Sequence, residues 1–208
     1  MERAPVLGDD GTTRCWWGDA PADYRAYHDG EWGMPIVNDD LLFERLVLEG
    51  FQSGLSWLTI LRRRPGLRAA FHQFDIAEVA AMTPGDVERL IGDPSIIRHR
   101  GKVESTINNA RRALDLAAET GSLAAFFWSY EPADASRPAL QATSPESTAM
   151  ARDLKRRGFT FVGSTTAYAF MQATGIVNDH LRECGAYARV ETARSAMERP
   201  IPRPTTPG

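Results

Sequence analysis

The sequence contains little cysteine, no excess of positive charge and no long apolar run. Two cysteines among 208 residues exclude a disulfide-rich secreted scaffold. The 24 Lys and Arg residues against 27 Asp and Glu residues give a net charge of −3, so any nucleic acid must bind a local basic patch. No window approaches the roughly 18 apolar residues of a membrane helix, and the N-terminus lacks the apolar core of a signal peptide. We therefore expect a monomeric, cytoplasmic protein with no membrane contact.

Helical patterns dominate the chain and predict an all-α fold. Leucines recur with helical spacing over residues 41–48, and Gly50 and Gly54 predict a break after them. Thr83 and Ser144 each precede a proline at the first position of a predicted helix, where the missing amide donor costs nothing. A further helix with one apolar face is predicted over residues 164–174. The only strand candidate, residues 159–162, is too short to form a sheet.

The same patterns predict a single unit over residues 12–186, with two helical lobes that share a cleft. Residues 1–11 and 187–208 are expected to be flexible tails, because the helical pattern decays after Cys184 and the terminal Arg/Pro run cannot maintain helical hydrogen bonds. Residues 131–143, which include Pro132 and Pro138, are expected to form a surface loop.

Cysteine and histidine occur near both ends of the chain. His180 and Cys184 are four residues apart, so a helix would place both on one face. Cys15 and His28 supply two further ligands if the N-terminal segment folds back. A Cys₂His₂ set is typical of a closed tetrahedral zinc site, which would join the two ends of the chain and leave no open position for catalysis. The alternative is two ordinary buried thiols and two imidazoles that bind no metal.

A single carboxylate, Glu49, lies in a region rich in aromatic residues. Four of the five tryptophans occur between Cys15 and Trp57, counting Trp57 itself. Helical spacing places Glu49 toward the core, where a carboxylate needs a partner. Aromatic faces together with a carboxylate favour a flat cationic ligand such as an alkylated purine. The alternative is that Glu49 forms a cap or a salt bridge while the rings fill a core.

Three stretches of the chain are locally basic. Residues 96–103 are similar to a helix-hairpin-helix loop, in which Gly101 lets backbone amides approach a DNA phosphate while Arg100 and Lys102 add positive charge. The second glycine that is usual in such a hairpin is missing. Residues 62–64 and 155–157 are interpreted as favourable charge at helix C-termini. The stretch 62–64 is predicted to end the helix that contains Trp57.

Several sequence motifs follow one another in a fixed order. They are YRAYHDGEWG (24–33), LEGFQSGLSW (48–57), FHQFD (71–75), IIRHRGK (96–102), KRRGFTFVG (155–163) and VNDH (177–180). Together with Cys15 and Trp17, this ordered set resembles the DNA-3-methyladenine glycosylase I family over nearly the whole chain. The resemblance implies an all-helical fold of the helix-hairpin-helix glycosylase superfamily. It also implies that Cys15, His28, His180 and Cys184 hold one structural zinc ion per chain.

The resemblance also implies roles for the residues of the aromatic region. Glu49 would be the catalytic residue and would read the edge of the flipped 3-methyladenine, while Trp57 would stack on the base. Tyr24 and Tyr27 would line the pocket, with Trp17 as a further wall.

The resemblance further implies contacts with DNA. Gly54 and Leu55 would lie at the gap that the flipped base leaves, with Leu55 as an apolar plug. Phe51 departs from the family pattern, which often has glutamine at this position. Many relatives in the superfamily use an aspartate after the hairpin, but the helix that follows Gly101 offers only Asp115, which is too far along it. We therefore assign no catalytic aspartate.

The expected activity is excision of 3-methyladenine from alkylated double-stranded DNA. The enzyme would flip the nucleotide and hydrolyse the N-glycosidic bond, with no lyase activity. One alternative is a zinc-stabilised module that binds alkylated bases or DNA without turnover. A zinc hydrolase is a second, against which four protein ligands at the metal argue. A helical interaction module that binds neither the base nor alkylated DNA is a third.

Overall fold

The structure, a computed structural model, describes residues 4–134 and 141–203. In these ranges the chain forms ten α-helices: α1 Ala22–Gly30, α2 Asp39–Gln52, α3 Trp57–Ala70, α4 Ile76–Ala81, α5 Pro84–Gly92, α6 Arg100–Thr120, α7 Leu123–Trp128, α8 Pro145–Arg156, α9 Ser164–Ala173 and α10 Gly185–Ala196. A 3₁₀ turn, His72–Phe74, joins α3 to α4, and the short strands β1 (Val6–Leu7) and β2 (Thr13–Arg14) pair antiparallel. The predicted all-α fold is confirmed. None of these helices is long and apolar enough to cross a membrane.

Helix α2 lies at the centre of the fold. Ten of its 14 residues are buried, and it packs against α3, α6, α7 and α9. Its side chains Phe43, Leu48 and Phe51 are almost completely buried in the main hydrophobic core. Burying a side chain of this size contributes roughly 1.5–3 kcal/mol. Tertiary packing therefore holds α2 in place, and any polar group on it needs a specific partner.

The predicted break at Gly50 is wrong, because α2 continues to Gln52. A Cβ atom at Gly50 would lie 3.5 Å from both the Cβ and the carbonyl oxygen of Phe161, in the connection between α8 and α9. The glycine therefore allows this connection to approach the helix, and its position in α2 reflects packing. At Gly54 the predicted break is confirmed, because the chain turns there between α2 and α3 with a φ of +78° that favours glycine.

The predicted end of the third helix at residues 62–64 is also wrong. Helix α3 continues through Pro65 to Ala70. Arg62 and Arg64 do not serve as charges at a helix end. Arg62 pairs with Asp23 in α1, and Arg64 pairs with Glu31, the residue after α1, each at 2.7 Å. These ion pairs connect α3 to α1.

The helix starts predicted from capping residues are confirmed. The side chains of Thr83 and Ser144 each accept a hydrogen bond from an amide in the first turn, and a proline occupies the first position of α5 and of α8. Helix α9 begins at Ser164 and ends just before the predicted boundary, with Gly175 at a φ of +74° shortly after it. Residues 159–162 form no strand.

The expected flexible C-terminal tail is wrong as far as Ala196, because α10 covers residues 185–196. Val190 is fully buried, and Arg194 is buried against the Gly175 carbonyl and pairs with Glu131 at 2.7 Å. These few contacts hold the helix without a continuous apolar stripe. At the other end, β1 and β2 order part of the predicted N-terminal tail. Residues 1–3, 135–140 and 204–208 of the predicted tails and loop lie outside the described residues.

Candidate active site and metal centre

The four predicted metal ligands meet in one buried cluster. Cys15 Sγ, His28 Nε2, His180 Nδ1 and Cys184 Sγ all lie within 4.8 Å of one another. The sulfur of Cys184 is 3.5 Å from each imidazole nitrogen, and that of Cys15 is 3.7 Å from His180. A tetrahedral zinc ion with Zn–S of about 2.3 Å and Zn–N of about 2.0 Å requires sulfur–nitrogen separations of about 3.5 Å. The cluster therefore fits a zinc ion without rearrangement.

The second nitrogen of each histidine is also bound, which fixes the ring orientation. His28 Nδ1 donates to the Asp29 carboxylate at 2.8 Å, and His180 Nε2 donates to the Trp32 carbonyl at 2.9 Å. The remaining nitrogens therefore carry their lone pairs toward the two sulfurs. Such outer partners are typical of histidines that ligate metals. Four buried protein ligands complete a tetrahedron, so the cluster suits a structural ion and leaves no site for an activated water.

The expectation that His180 and Cys184 share a helix is wrong. Both precede α10, and Cys184 is the residue on which α10 begins. A turn closed by the Cys184 amide and the Leu181 carbonyl at 2.9 Å brings the two ligands together. Since His28 lies in the last turn of α1 and Cys15 directly follows β2, the cluster joins the N-terminal hairpin, α1 and the start of α10.

A cavity of about 320 Å³ lies beside the metal cluster. This volume is within the range of small-molecule sites. Its walls are aromatic and polar, and consist of Trp16, Trp17, Tyr24, Tyr27, Trp32, Glu49, Gln52, Trp57, Gln141, Ala169 and Gln172. The structure thus brings the five predicted substrate-binding residues together around one space.

The aromatic walls of the cavity support one another. The Trp17 ring meets Tyr24 and Trp32 edge-on, with ring centres 5.8 and 4.9 Å apart, and Tyr27 and Trp57 have ring centres 5.3 Å apart. The Tyr24 hydroxyl accepts a hydrogen bond from an amide in the first turn of α3 at 3.0 Å. Rings held in this way present fixed faces, which suits stacking against a flat ligand.

Glu49 is the most unusual polar group of the cavity. Glu49 is only 5% exposed, and its Oε2 atom has no hydrogen-bond partner among the described residues. Burial raises the pKa of Glu49 to about 8, against the opposing effect of the Arg45 charge. The Nε1 atom of Trp57 is likewise buried without a partner in the described part of the chain. An unpaired acceptor and an unpaired donor are therefore available to a ligand in this cavity, and each costs free energy while it stays unpaired.

An ion-pair system formed by Arg45, Arg64 and Glu31 lies near Glu49. Arg45 donates to Glu31 at 2.5 Å, and its guanidinium lies 5.8 Å from the centre of the Tyr27 ring. Although burial opposes ionisation of Glu31, hydrogen bonds from Arg64 and Arg45 lower its pKa to about 2. Glu31 thus holds Arg45, and Glu49 has no direct cationic partner in the described ranges of the chain.

The predicted DNA-contacting residues fall into two groups. Gly54 and Leu55 form the exposed turn after α2, where Leu55 is 40% exposed. Gly101 lies in the first turn of α6, and Arg100 is exposed but paired with Glu88 at 2.8 Å.

Lys102 does not have the position expected of a phosphate ligand. It is 6% exposed, and Nζ donates to the carbonyls of Phe51 and Ser53 at 2.8 and 2.7 Å. The expectation that its charge meets DNA is therefore wrong. These carbonyls belong to the end of α2 and the residue after it, where a cation offsets the negative end of the helix dipole. Lys102 instead fixes the turn that carries Gly54.

Three glutamines that line the cavity were not predicted from the sequence. Gln52, Gln141 and Gln172 line the cavity, and Gln172 donates to Asp179 at 2.8 Å, as does the Tyr168 hydroxyl. Gln52 lies one helical turn after Glu49, which is the only sequence signal for it. The other two come from distant segments, and only the tertiary fold brings them to the cavity.

The site and the fold match one family of known proteins. The methyladenine glycosylase family matches residues 16–187. The DNA-3-methyladenine glycosylase 1 of Escherichia coli (strain K12) is 47% identical over 182 residues, which cover 84% of this chain and 96% of the relative. The DNA-3-methyladenine glycosylase of Haemophilus influenzae is 42% identical over 179 residues, which cover 83% and 97%.

Solved structures agree with these sequence matches. A crystal structure of 3-methyladenine DNA glycosylase I superposes with a TM-score of 0.77 at 47% identity and covers 83% of this chain and 98% of its own. The Staphylococcus aureus enzyme, solved to show the structural basis of 3-methyladenine recognition, superposes with a TM-score of 0.78 at 34% identity and covers 84% and 96%. This chain belongs to the methyladenine glycosylase family.

Proposed function

We propose that this protein is a DNA-3-methyladenine glycosylase, which removes 3-methyladenine from alkylated DNA by hydrolysing the N-glycosidic bond. The observation that carries the proposal is a buried, unpaired carboxylate, Glu49, in a cavity walled by aromatic rings. Methylation at N3 gives adenine a positive charge. A flat cation adds charge attraction to the carboxylate and to the ring faces, whereas neutral adenine offers only stacking and the hydrogen bond of its amine.

The chemistry requires little from the protein beyond positioning. The C1′–N9 bond breaks with both electrons passing to the base, so the cationic base leaves as neutral 3-methyladenine. Water adds to C1′ and gives up a proton, and the DNA backbone stays intact. The flipped nucleotide lies between fixed rings, which contribute on the order of 1–3 kcal/mol per stacked base. Glu49 stabilises the positive charge on the lesion and accepts from its exocyclic amine. Asp115 is not part of this chemistry, since its side chain is 72% exposed near the far end of α6.

The DNA contacts of the proposal are local. The turn at Gly54 and Leu55 would fill the gap left by the flipped base, and the amides at the start of α6 near Gly101 would bind a backbone phosphate. Arg100 can add charge if it leaves Glu88. We propose a monomer that acts on duplex DNA, from which the damaged nucleotide has to be extruded before the cavity can bind its base.

We also propose that Cys15, His28, His180 and Cys184 hold a structural zinc ion. The ion would supply no reacting group, because all four positions around it are taken by the protein. Its contribution is to fix the elements that carry the aromatic walls.

Base release from methylated duplex DNA tests the proposed function. The wild type should release free 3-methyladenine, Glu49→Gln should be slower by about 10²-fold, and Trp57→Ala by about 10-fold or more. Glu78→Gln makes the same chemical change at an exposed position of α4 and should retain the wild-type rate. Tight binding of the base without any release would make the protein an alkylation sensor, and neither binding nor release would make it an interaction module.

A further inference from the structure

Phe161 combines exposure with an unfavourable backbone conformation. Phe161 is 40% exposed although its side chain is large and aromatic. Its φ is +56°, in a region that favours glycine. Its neighbours Phe159 and Val162 are buried. Residues that keep a costly conformation and expose an apolar group often do so for function.

The backbone before Phe161 is rigidly held by α6. The Asn109 side chain accepts from the Thr160 amide and donates to the Thr160 carbonyl, both at 2.9 Å. The Ser105 and Thr160 hydroxyls are also 2.7 Å apart. Both Asn109 and Ser105 are buried, so these bonds are shielded from water. The fold therefore fixes the point from which Phe161 projects.

The ring of Phe161 lies between the two elements expected to meet DNA. Its Cβ would lie 3.5 Å from a Cβ at Gly50 near the end of α2, and its Cζ would lie 3.7 Å from a Cβ at Gly101 in the first turn of α6. The His99 ring meets it edge-on with ring centres 6.2 Å apart. Leu55, the other exposed apolar side chain of this region, follows α2 directly.

Positive charge lies in the last turns of α8, just before the connection that carries Phe161. A groove of about 500 Å³ is lined by the exposed side chains of Arg152, Lys155 and Arg156, the last of which pairs with Asp153, and by Ser164, the first residue of α9. The net charge of the chain is −3, so this local concentration of cations complements a polyanion.

We propose that Phe161 is a DNA-contacting residue that packs on the deoxyribose next to the phosphate bound at the start of α6. The inference rests on the proposed glycosylase function. Phe161 shields the amides near Gly101 on one side and offers an apolar face to the sugar, while the cations of α8 attract the adjoining backbone. With Lys102 turned inward, the hairpin has no lysine charge at its surface, and an apolar contact supplies binding free energy in its place.

Binding of duplex DNA carrying a stable abasic-site analogue tests this assignment. Phe161→Ala should weaken binding by about 5- to 10-fold, the loss expected from one half-buried apolar contact, while Phe161→Tyr should retain affinity. Because a ring displaces no counterions, the slope of affinity against salt concentration should stay that of the wild type. Affinity for free 3-methyladenine, measured by calorimetry, should not change.

Two further variants separate a DNA contact from a structural role. Phe161→Gly removes the ring and should therefore lose DNA affinity. Because glycine adopts a positive φ without strain, its Tm should not fall. Leu114→Ala removes an equally exposed apolar side chain about 20 Å along α6 and should leave DNA binding unchanged. Wild-type DNA affinity in Phe161→Ala, or parallel losses of Tm, free-base affinity and DNA affinity in Phe161→Ala and Phe161→Gly, would overturn the inference. Absence of base release by the wild type would instead reject the glycosylase function.

Discussion

Glu49 is the residue at which stability and activity oppose each other. A carboxylate that is 5% exposed and lacks a partner for one oxygen destabilises the folded chain whenever it is ionised. A cationic base would supply the missing charge and lower its pKa again. The empty cavity is therefore less favourable for the protein than the occupied one, and this difference is what selects a charged purine over a neutral one.

Substitution of Glu49 should make stability less dependent on pH. The pKa of Glu49 is about 8 in the folded protein, whereas an unfolded chain ionises near pH 4.5, the ordinary value. Between these values the unfolded state binds fewer protons, so the wild type loses stability as pH rises. Glu49→Gln removes the loss, and its Tm should exceed that of the wild type at pH 8 and approach it near pH 4. Thermal unfolding of both proteins across this range measures the effect.

The matched control for this pH series is Glu78→Gln, whose carboxylate is exposed. Its Tm should differ from the wild type by a constant small amount. A Tm difference for Glu49→Gln that stays the same from pH 4 to pH 8 would mean that the folded and unfolded chains bind the same number of protons at Glu49, which would contradict a pKa raised by burial.

At the scale of elements, the end of α2 depends on a lysine from α6. Lys102→Met should destabilise the protein by about 2 kcal/mol or more, because it leaves the carbonyls of Phe51 and Ser53 unpaired. Burial already lowers the pKa of Lys102, so the charge is retained at a cost that only these contacts offset. Urea unfolding gives the free energy directly. Arg100→Gln, at the exposed pair with Glu88, should change it by less than about 1 kcal/mol.

Base release gives a second measure of the same variant. If Lys102 positions the turn at Gly54 and Leu55, Lys102→Met should slow release from DNA while the affinity for free 3-methyladenine is retained. A variant with unchanged unfolding free energy and unchanged release would show that the turn holds its shape without the lysine.

Local signals predicted the elements well where capping residues specify them. Thr83 and Ser144 gave the starts of α5 and α8, since a cap followed by proline is decided within four residues. Gly50 gave a wrong helix end, because the glycine is needed for the close approach of Phe161, which lies more than 100 residues away in the sequence. Helix α10 was missed for a similar reason. It is held by Val190 and by the ion pair of Arg194 one helical turn later, and a buried arginine at that position does not extend an apolar stripe.

The site shows the same division between local and tertiary information. Residue types alone predicted a Cys₂His₂ cluster and a carboxylate among rings, and family resemblance supplied the role of each residue. The expected role of Lys102 was wrong because the sequence does not show which way its side chain points. A lysine that follows a hairpin glycine can direct its ammonium group to solvent or to the end of another helix. Gln141 and Gln172 could not be found, because no spacing connects them to Glu49.

At the scale of the whole molecule, residues that line the cavity contact the histidines of the Cys/His cluster. The Trp32 carbonyl holds His180, and the Trp32 ring lines the cavity. The Trp17 ring meets that of His28 with centres 5.1 Å apart, and Tyr27 precedes His28 in α1. An ion that fixes the two histidines therefore also fixes three aromatic walls, although the metal and the base need never touch.

Removal of the proposed zinc ion should consequently weaken base binding as well as the fold. Elemental analysis should find about one zinc ion per chain, and a strong chelator should lower Tm by about 10 °C or more, because metal binding free energy is folding free energy in such sites. Below that Tm, the affinity for free 3-methyladenine should fall as the walls loosen, and added zinc should restore both quantities. Cys184→Ala, which removes one ligand 3.5 Å from each histidine, should reproduce the loss without chelator. A metal-free protein with full Tm and full base affinity would show that packing alone orders the cavity, since the ring contacts among Trp17, Trp32 and Tyr27 would then suffice.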